Sequence, residues 1–198
     1  MTRSSTARIP LDPPRTLVYR LTEWYSRRRF GTVADPAAAM GHNPRVLVAN
    51  ARHEMALERW HALDPTLKDL AVMASAVTVG CSWCVDFGYW IATGKGTDPV
   101  KLRDVPRWRD SDVFTDLERR VMAYAEAVSA TPPTVTDEMV AGLRRDLDDA
   151  ALVELTMMVA VENSRSRFNS ALGLTSQGFR DRCEVPAPTA RVAAAPSS

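Results

Sequence analysis

The chain has 198 residues, a formal net charge of +1, 45% hydrophobic and 25% charged residues, and three cysteines. That length suits one domain with a substantial core, and the near-neutral charge argues against nucleic acid or another polyanion as partner. No apolar run reaches the roughly 18 residues a membrane span needs, the N-terminal MTRSSTARIPLDPP has no signal-peptide core, and the odd cysteine count does not describe a disulfide framework. The location expected on these grounds is the cytoplasm, where thiols are kept reduced.

In chain order, residues 1–14 are polar, end in Pro13-Pro14 and read as a flexible lead. A helix follows, marked by Leu17, Leu21 and Trp24 at spacings of four and three, with Tyr25 beside them; Arg27, Arg28 and Arg29 suit its C-terminal end and Gly31 its stop. Asn43-Pro44 pairs a capping side chain with proline at the first helical position. This second helix should run to Trp60, with Val48, Ala51 and Met55 on one face. Asp64-Pro65 repeats the signal, and the run to Val79 is apolar nearly all round, the mark of a buried helix. Gly80 breaks it.

The next helix is expected over 81–93, ended by Gly94 and Gly96. Trp83, Phe87, Tyr89 and Trp90 give it more ring surface than one small core readily takes, which points to a subunit interface. Asp98-Pro99 opens a short helix or turn that Pro106 ends. Thr115 and Glu118 form a capping box ahead of Leu117, Val121, Tyr124 and Val128. After the Thr131-Pro132-Pro133 break, Thr136 caps a helix to about Leu143. A last helix begins near Asp148 or Asp149 and ends at Gly173. Its first half is apolar (Leu152, Leu155, Val159) and its second half polar (Glu162, Asn163, Arg165, Arg167, Asn169), which reads as a solvated stretch or an oligomer interface. Residues 179–198 are rich in Pro, Ala and Ser and read as a disordered tail holding a bystander thiol, Cys183. With no alternating run, the fold expected for residues 15–178 is all-α, a compact bundle of six to eight helices.

The chemistry-bearing motif is Cys81-x-x-Cys84. Zinc normally takes a second such pair or closely spaced histidines, whereas His42, His53 and His61 are scattered. A thioredoxin-type motif needs a βαβ setting that the helical surroundings do not provide. Two simple buried cysteines are the plain structural alternative. A redox dithiol fits the geometry: residues i and i+3 share a helix face, and a helix N-terminus near Cys81 favours a thiolate. His53 and His61 could reach such a dithiol from the helix that starts at Asn43, although a lone helical histidine is more often structural. Asp69 lies twelve residues before Cys81, and its place near a helix N-terminus explains it without any function.

An acid, twelve residues on Cys-x-x-Cys, then histidine four after the second cysteine is the pattern of the carboxymuconolactone decarboxylase family on its alkylhydroperoxidase D-like side. The stretch from Asp69 to Gly88 resembles it, with aspartate for the usual glutamate and Gly88 for the histidine. The resemblance extends from about His42 to Gly173, through Asn43-Pro44-Arg45-Val46-Leu47 and the closing stretch ending Asn169-Ser170-Ala171-Leu172-Gly173. It implies an all-α fold, a homo-oligomer (commonly a trimer or hexamer), and a thiol-dependent peroxidase or disulfide oxidoreductase. The substrate would be a peroxide or other small molecule, the reductant an external dithiol, and no cofactor or metal is called for. The implied catalytic set is Cys84, Cys81 and Asp69. The family's histidine would make Cys84 the attacker, while position at the helix start favours Cys81. Two alternatives stand beside this reading: a carboxymuconolactone decarboxylase-like lyase, which would want an anion-binding cluster, and a non-catalytic scaffold that has lost the histidine.

Overall fold

The computed structural model describes residues 6–183. Among them there are nine α-helices and no strand: α1 (Leu17–Phe30), α2 (Asp35–Met40), α3 (Pro44–Leu57), α4 (Pro65–Val79), α5 (Ser82–Lys95), α6 (Pro99–Asp104), α7 (Asp116–Ser129), α8 (Asp137–Leu143) and α9 (Asp149–Ala171). Two 3-10 turns, Val105–Asp110 and Arg180–Arg182, complete the set. The all-α expectation holds, with one helix more than expected. The extra one, α2, is six residues long, too short for a periodic pattern, and its N-cap Ala34 makes no side-chain hydrogen bond.

The caps expected from the sequence form: side chains of Asn43, Asp64, Asp98, Thr115 and Thr136 accept first-turn N–H groups that the helix itself leaves open. Three ends differ from expectation. α3 stops at Leu57 because Arg59 and Trp60 turn their N–H groups back to Ala56 and Leu57 in a tightened last turn. α5 runs through Gly94 to Lys95 and is ended by Gly96, whose φ of 100° suits glycine alone. α6 ends at Asp104, and Pro106 lies inside the 3-10 turn that follows.

α4 is the axle. α5, α7 and α9 pack around it, burying Leu70, Ala71, Met73 and Ala74 against Val121, Met122, Leu155 and Val159. Burying one such large aliphatic side chain is worth about 1.5–3 kcal/mol, against about 0–1 for an exposed ion pair, so apolar packing fixes the helix arrangement. A second, smaller core forms beside α5. There Trp83 stacks on Phe87 at 4.7 Å, Phe179 meets Phe87 edge-on at 5.0 Å, and Phe30 of α1 does so at 5.3 Å. The α5 rings therefore do not form a bare interface face: α1 and the C-terminal segment supply the core they lack.

Both ends of the described stretch pack against the bundle. Arg8 donates from its N–H to the Leu172 carbonyl and from its guanidinium to the Ser170 and Ala171 carbonyls, groups that the end of α9 leaves open. Pro13 is buried. Arg8 thus ties the described part of the lead to the end of α9. Phe179, the first residue of the expected tail, is fully buried. Residues 1–5 and 184–198, the rest of the expected lead and tail, lie outside the described residues. No described helix is long and apolar enough to cross a membrane.

Candidate dithiol site

Gly80, at φ 79°, ends α4 and lets the chain reverse, so that α5 starts directly beside the end of its predecessor. Cys81 is the N-cap of α5, and its Sγ accepts the N–H of Cys84 at 3.2 Å. The two sulfurs are bonded as a disulfide, with Cα atoms 5.3 Å apart. One helical turn thus brings them together, as their spacing predicts. Both cysteines are buried, among Ala34, Ala76, Trp83 and Phe179.

The polar partners of the pair come from α9. Asn169 points its Nδ2 at both sulfurs, 3.3 Å from Cys84 and 3.8 Å from Cys81. Ser166 Oγ lies 3.4 Å from Cys84 Sγ and donates to Glu162 Oε1 at 2.9 Å. Glu162, Ser166 and Asn169 are 3%, 0% and 2% exposed. Burial raises the Glu162 carboxyl pKa, and this outweighs the lowering by the Arg165 charge and by the hydrogen bonds from Ser166 and Arg165. Arg165 bridges Glu162 to Glu54 on α3. Asn169 Oδ1 is buried without a hydrogen-bond partner among the described residues.

The sequence alone assigns no role to these three residues. The signal they carry is a period: Leu155, Val159, Glu162, Ser166 and Asn169 step by four, three, four and three, one continuous face that is apolar and then polar. The polar half is buried rather than solvated, because the same face continues into the core.

Asp69 is elsewhere. It stands ten residues before the end of α4, roughly 15 Å of helix rise away, and accepts the Thr97 hydroxyl at 2.7 Å, beyond the far end of α5. Burial raises its pKa, more than the Thr97 bond and the charges of Lys95 and Lys68 lower it. The structure brings Cys81 and Cys84 together and leaves Asp69 at the other end of the helix pair. His53 and His61 are exposed, and neither is among the hydrogen-bond partners of the sulfurs. At Gly88 a Cβ would lie 2.9 Å from Met73 Sδ, so this face of α5 is pressed against α4 where a histidine side chain would have to go.

Asp86 is buried and turned away from the sulfurs. Its carboxylate accepts the N–H groups of Gln177, Phe179 and Arg180. Burial pushes its pKa up, but those N–H donors and the Ser176 hydroxyl together hold it below its ordinary value. Gln177 Oε1 in turn accepts the Trp83 ring N–H at 2.8 Å. The C-terminal segment is thereby pinned against the dithiol helix. No group of His, Cys, Asp and Glu side chains that could hold a metal ion exists among the described residues.

The carboxymuconolactone decarboxylase family profile matches residues 44–127, spanning α3 to most of α7. The protein YnjA of Escherichia coli K12 is 35% identical over 171 residues, 86% of this chain and 92% of that one. The chain belongs to the carboxymuconolactone decarboxylase family. The fold agrees. A peroxidase-related protein from Silicibacter sp. TM1040 superposes with a TM-score of 0.76 at 14% identity, covering 91% of this chain and 97% of that one. A second, from Ralstonia eutropha JMP134, gives 0.74 at 17%, covering 88% and 95%. The debrominase Bmp8, in complex with 2,3,4-tribromopyrrole, gives 0.75 at 22%, covering 90% and 100%.

Proposed function

We propose that the protein is a thiol-dependent peroxidase in which Cys84 attacks and Cys81 resolves. The observation that carries this reading is the buried Cys81–Cys84 disulfide at the start of α5, with an amide donor on both sulfurs. A plain structural cysteine pair has no use for an N–H aimed at its sulfurs, whereas a thiolate is stabilised by one. In the reduced protein, Cys84 thiolate attacks the distal oxygen of a hydroperoxide. The O–O bond breaks, the alkoxide leaves with the electron pair and takes up a proton, and Cys84 becomes a sulfenic acid. Cys81 then attacks Cys84 sulfur and water departs, leaving the disulfide. An external dithiol reduces it by exchange. Cys84 is the attacker in this reading because Asn169 and Ser166 both meet its sulfur, while Cys81 sulfur is held on the Cys84 backbone N–H. The unpartnered Asn169 Oδ1 is an acceptor suited to a hydroperoxide O–H. The working assembly is a homo-oligomer.

The lyase alternative needs a cation for an acidic substrate; of the two α9 arginines flanking Ser166, Arg165 is committed to Glu54 and Glu162, and Arg167 donates to Asn163 and Thr131. Mass spectrometry of the reduced protein after mild peroxide treatment tests the proposal. The expected result is a Cys81–Cys84 disulfide; Cys84→Ser abolishes turnover and Cys81→Ser accumulates a sulfenic acid at Cys84. If both thiols survive while Cys183 oxidises, the scaffold reading replaces this one.

A further inference from the structure

Gly88 leaves the dithiol without the histidine that would take its proton, and Asp69 sits too far along α4 to serve. A buried polar chain from α9 ends on Cys84 instead. Ser166 has one hydroxyl proton, and the carboxylate of Glu162 at 2.9 Å is a stronger acceptor than a disulfide sulfur at 3.4 Å. With that proton turned toward Glu162, an Oγ lone pair faces Cys84. In the reduced state this is where the thiol S–H points its proton.

We infer that Ser166 and Glu162 are the proton path of Cys84, taking over from α9 the part a histidine on α5 would play. This rests on Cys84 being the attacking thiol of the proposed peroxidase. The thiol proton passes to Ser166 Oγ as the Ser166 proton passes to Glu162 Oε1, leaving Cys84 thiolate and a neutral Glu162. After O–O cleavage Glu162 returns its proton to Ser166 Oγ as Ser166 gives its own to the leaving alkoxide, which becomes the alcohol. No proton is gained or lost: hydroperoxide and two thiols give alcohol, water and the disulfide. Ser166 touches the reacting sulfur and is a catalytic residue; Glu162 acts through it and is a positioning residue. A buried carboxyl with a raised pKa accepts such a proton more readily than an exposed one.

The charged surroundings leave Glu162 as the group that tunes Cys84. From α9 and α3, Arg165 and Glu54 pair with each other, Arg165 also pairs with Glu162, and Arg167 donates to Asn163 Oδ1 and Thr131 Oγ1; Arg182, over the Phe179 ring at 4.6 Å, donates to the Phe30 carbonyl. On α5, Asp86 is occupied by the N–H groups of 177, 179 and 180. On α4 the nearby core residue is Ala76, and Lys68 and Asp69 stand at the opposite end. Arg180, on the C-terminal turn, lies over the Tyr89 ring at 4.8 Å, and on α1 Arg29 lies over the Phe30 ring at 5.9 Å.

The test measures the pH dependence of iodoacetamide alkylation at Cys84 in the full-length, reduced Cys81→Ser protein, by peptide mass spectrometry so that Cys183 is read separately. Ser166→Ala and Glu162→Gln, each added to that background, should move the midpoint to higher pH and slow alkylation at pH 7 at least tenfold, a loss in keeping with the roughly 10²–10⁴-fold range of general-base help. Ser166→Thr, which keeps the hydroxyl, should restore the lower midpoint. An unchanged midpoint in Ser166→Ala, with the helical circular dichroism signal intact, overturns the inference. Ser166→Ala removes one oxygen and so decides the matter even if Glu162→Gln does not fold. Peroxide takes no part in this measurement, so a protein that fails to turn over peroxide refutes the peroxidase while leaving the proton path separately readable.

Discussion

Asp69 and Asp86 lie on adjoining helices, Asp69 half-buried and Asp86 buried, and their surroundings drive them opposite ways. Asp86 is satisfied by backbone N–H groups, so its folded-state pKa falls below the unfolded value of about 3.9. Its stabilising contribution is complete above that unfolded value and is lost as pH falls through the depressed one. Asp69 has one hydroxyl donor, and burial dominates, so its pKa is raised. Its ionisation therefore opposes folding at neutral pH, and the penalty is relieved as pH falls through the raised value toward about 3.9. Asparagine at the two positions should move the melting temperature at pH 7 in opposite directions. Asp86→Asn weakens hydrogen bonds to a charged group worth about 1.5–3 kcal/mol and should lower it by roughly 4–10 °C. Asp69→Asn keeps an acceptor for Thr97 and should leave the temperature equal or higher. Calorimetric scans from about pH 2 to 8 cover both titrations; a fall in both variants at pH 7 would contradict the assignment for Asp69.

At the scale of elements, the α4–α5 pair decides what chemistry the site can hold. Its two helices approach closely because residue 88 has no side chain, with Met73 filling the gap. Gly88→His would force an imidazole into that contact, and overpacking of this kind costs about 1–3 kcal/mol. We expect a melting temperature lower by roughly 3–10 °C and no gain in peroxide turnover, read by scanning calorimetry and by peroxide consumption. A stable, faster Gly88→His enzyme would mean that α5 can step away from α4 without cost. The helix that does reach the sulfurs is α9, whose 23 residues span from the central core to the dithiol.

At the scale of the whole molecule, the outer face of α1 is a conspicuous exposed apolar feature among the described residues. Leu17 is 82% and Trp24 60% exposed, with Leu21 and Tyr25 beside them, while the side chains α1 does bury are Tyr19 and Ser26. Apolar surface so arranged suits contact with a second copy of the chain. The expected outcome in light scattering at micromolar concentration is a multiple of 21.9 kDa, and a Leu21→Asp, Trp24→Asp double variant should fall toward the single-chain mass while keeping its helical circular dichroism. A wild-type species of 21.9 kDa alone would count against assembly.

Capping residues followed by proline, glycines at helix ends and the four-three spacing of apolar residues are properties of neighbouring residues. The helices and the meeting of Cys81 with Cys84 are therefore legible in the amino-acid order itself. The partners of the sulfurs are not. Ser166 and Asn169 lie more than 80 residues from Cys84, and only the packing of α9 against α5 decides that their face is buried rather than solvated. The same holds for the rings of α5, whose core partners Phe30 and Phe179 come from both sides in sequence. It holds again for Asp69, which sits near the cysteines along the chain but is held apart from them by the rigid length of α4. Sequence by itself determined the helices and the dithiol; tertiary structure decided which polar groups share its desolvated pocket, because burial depends on what packs against a face and not on the face alone.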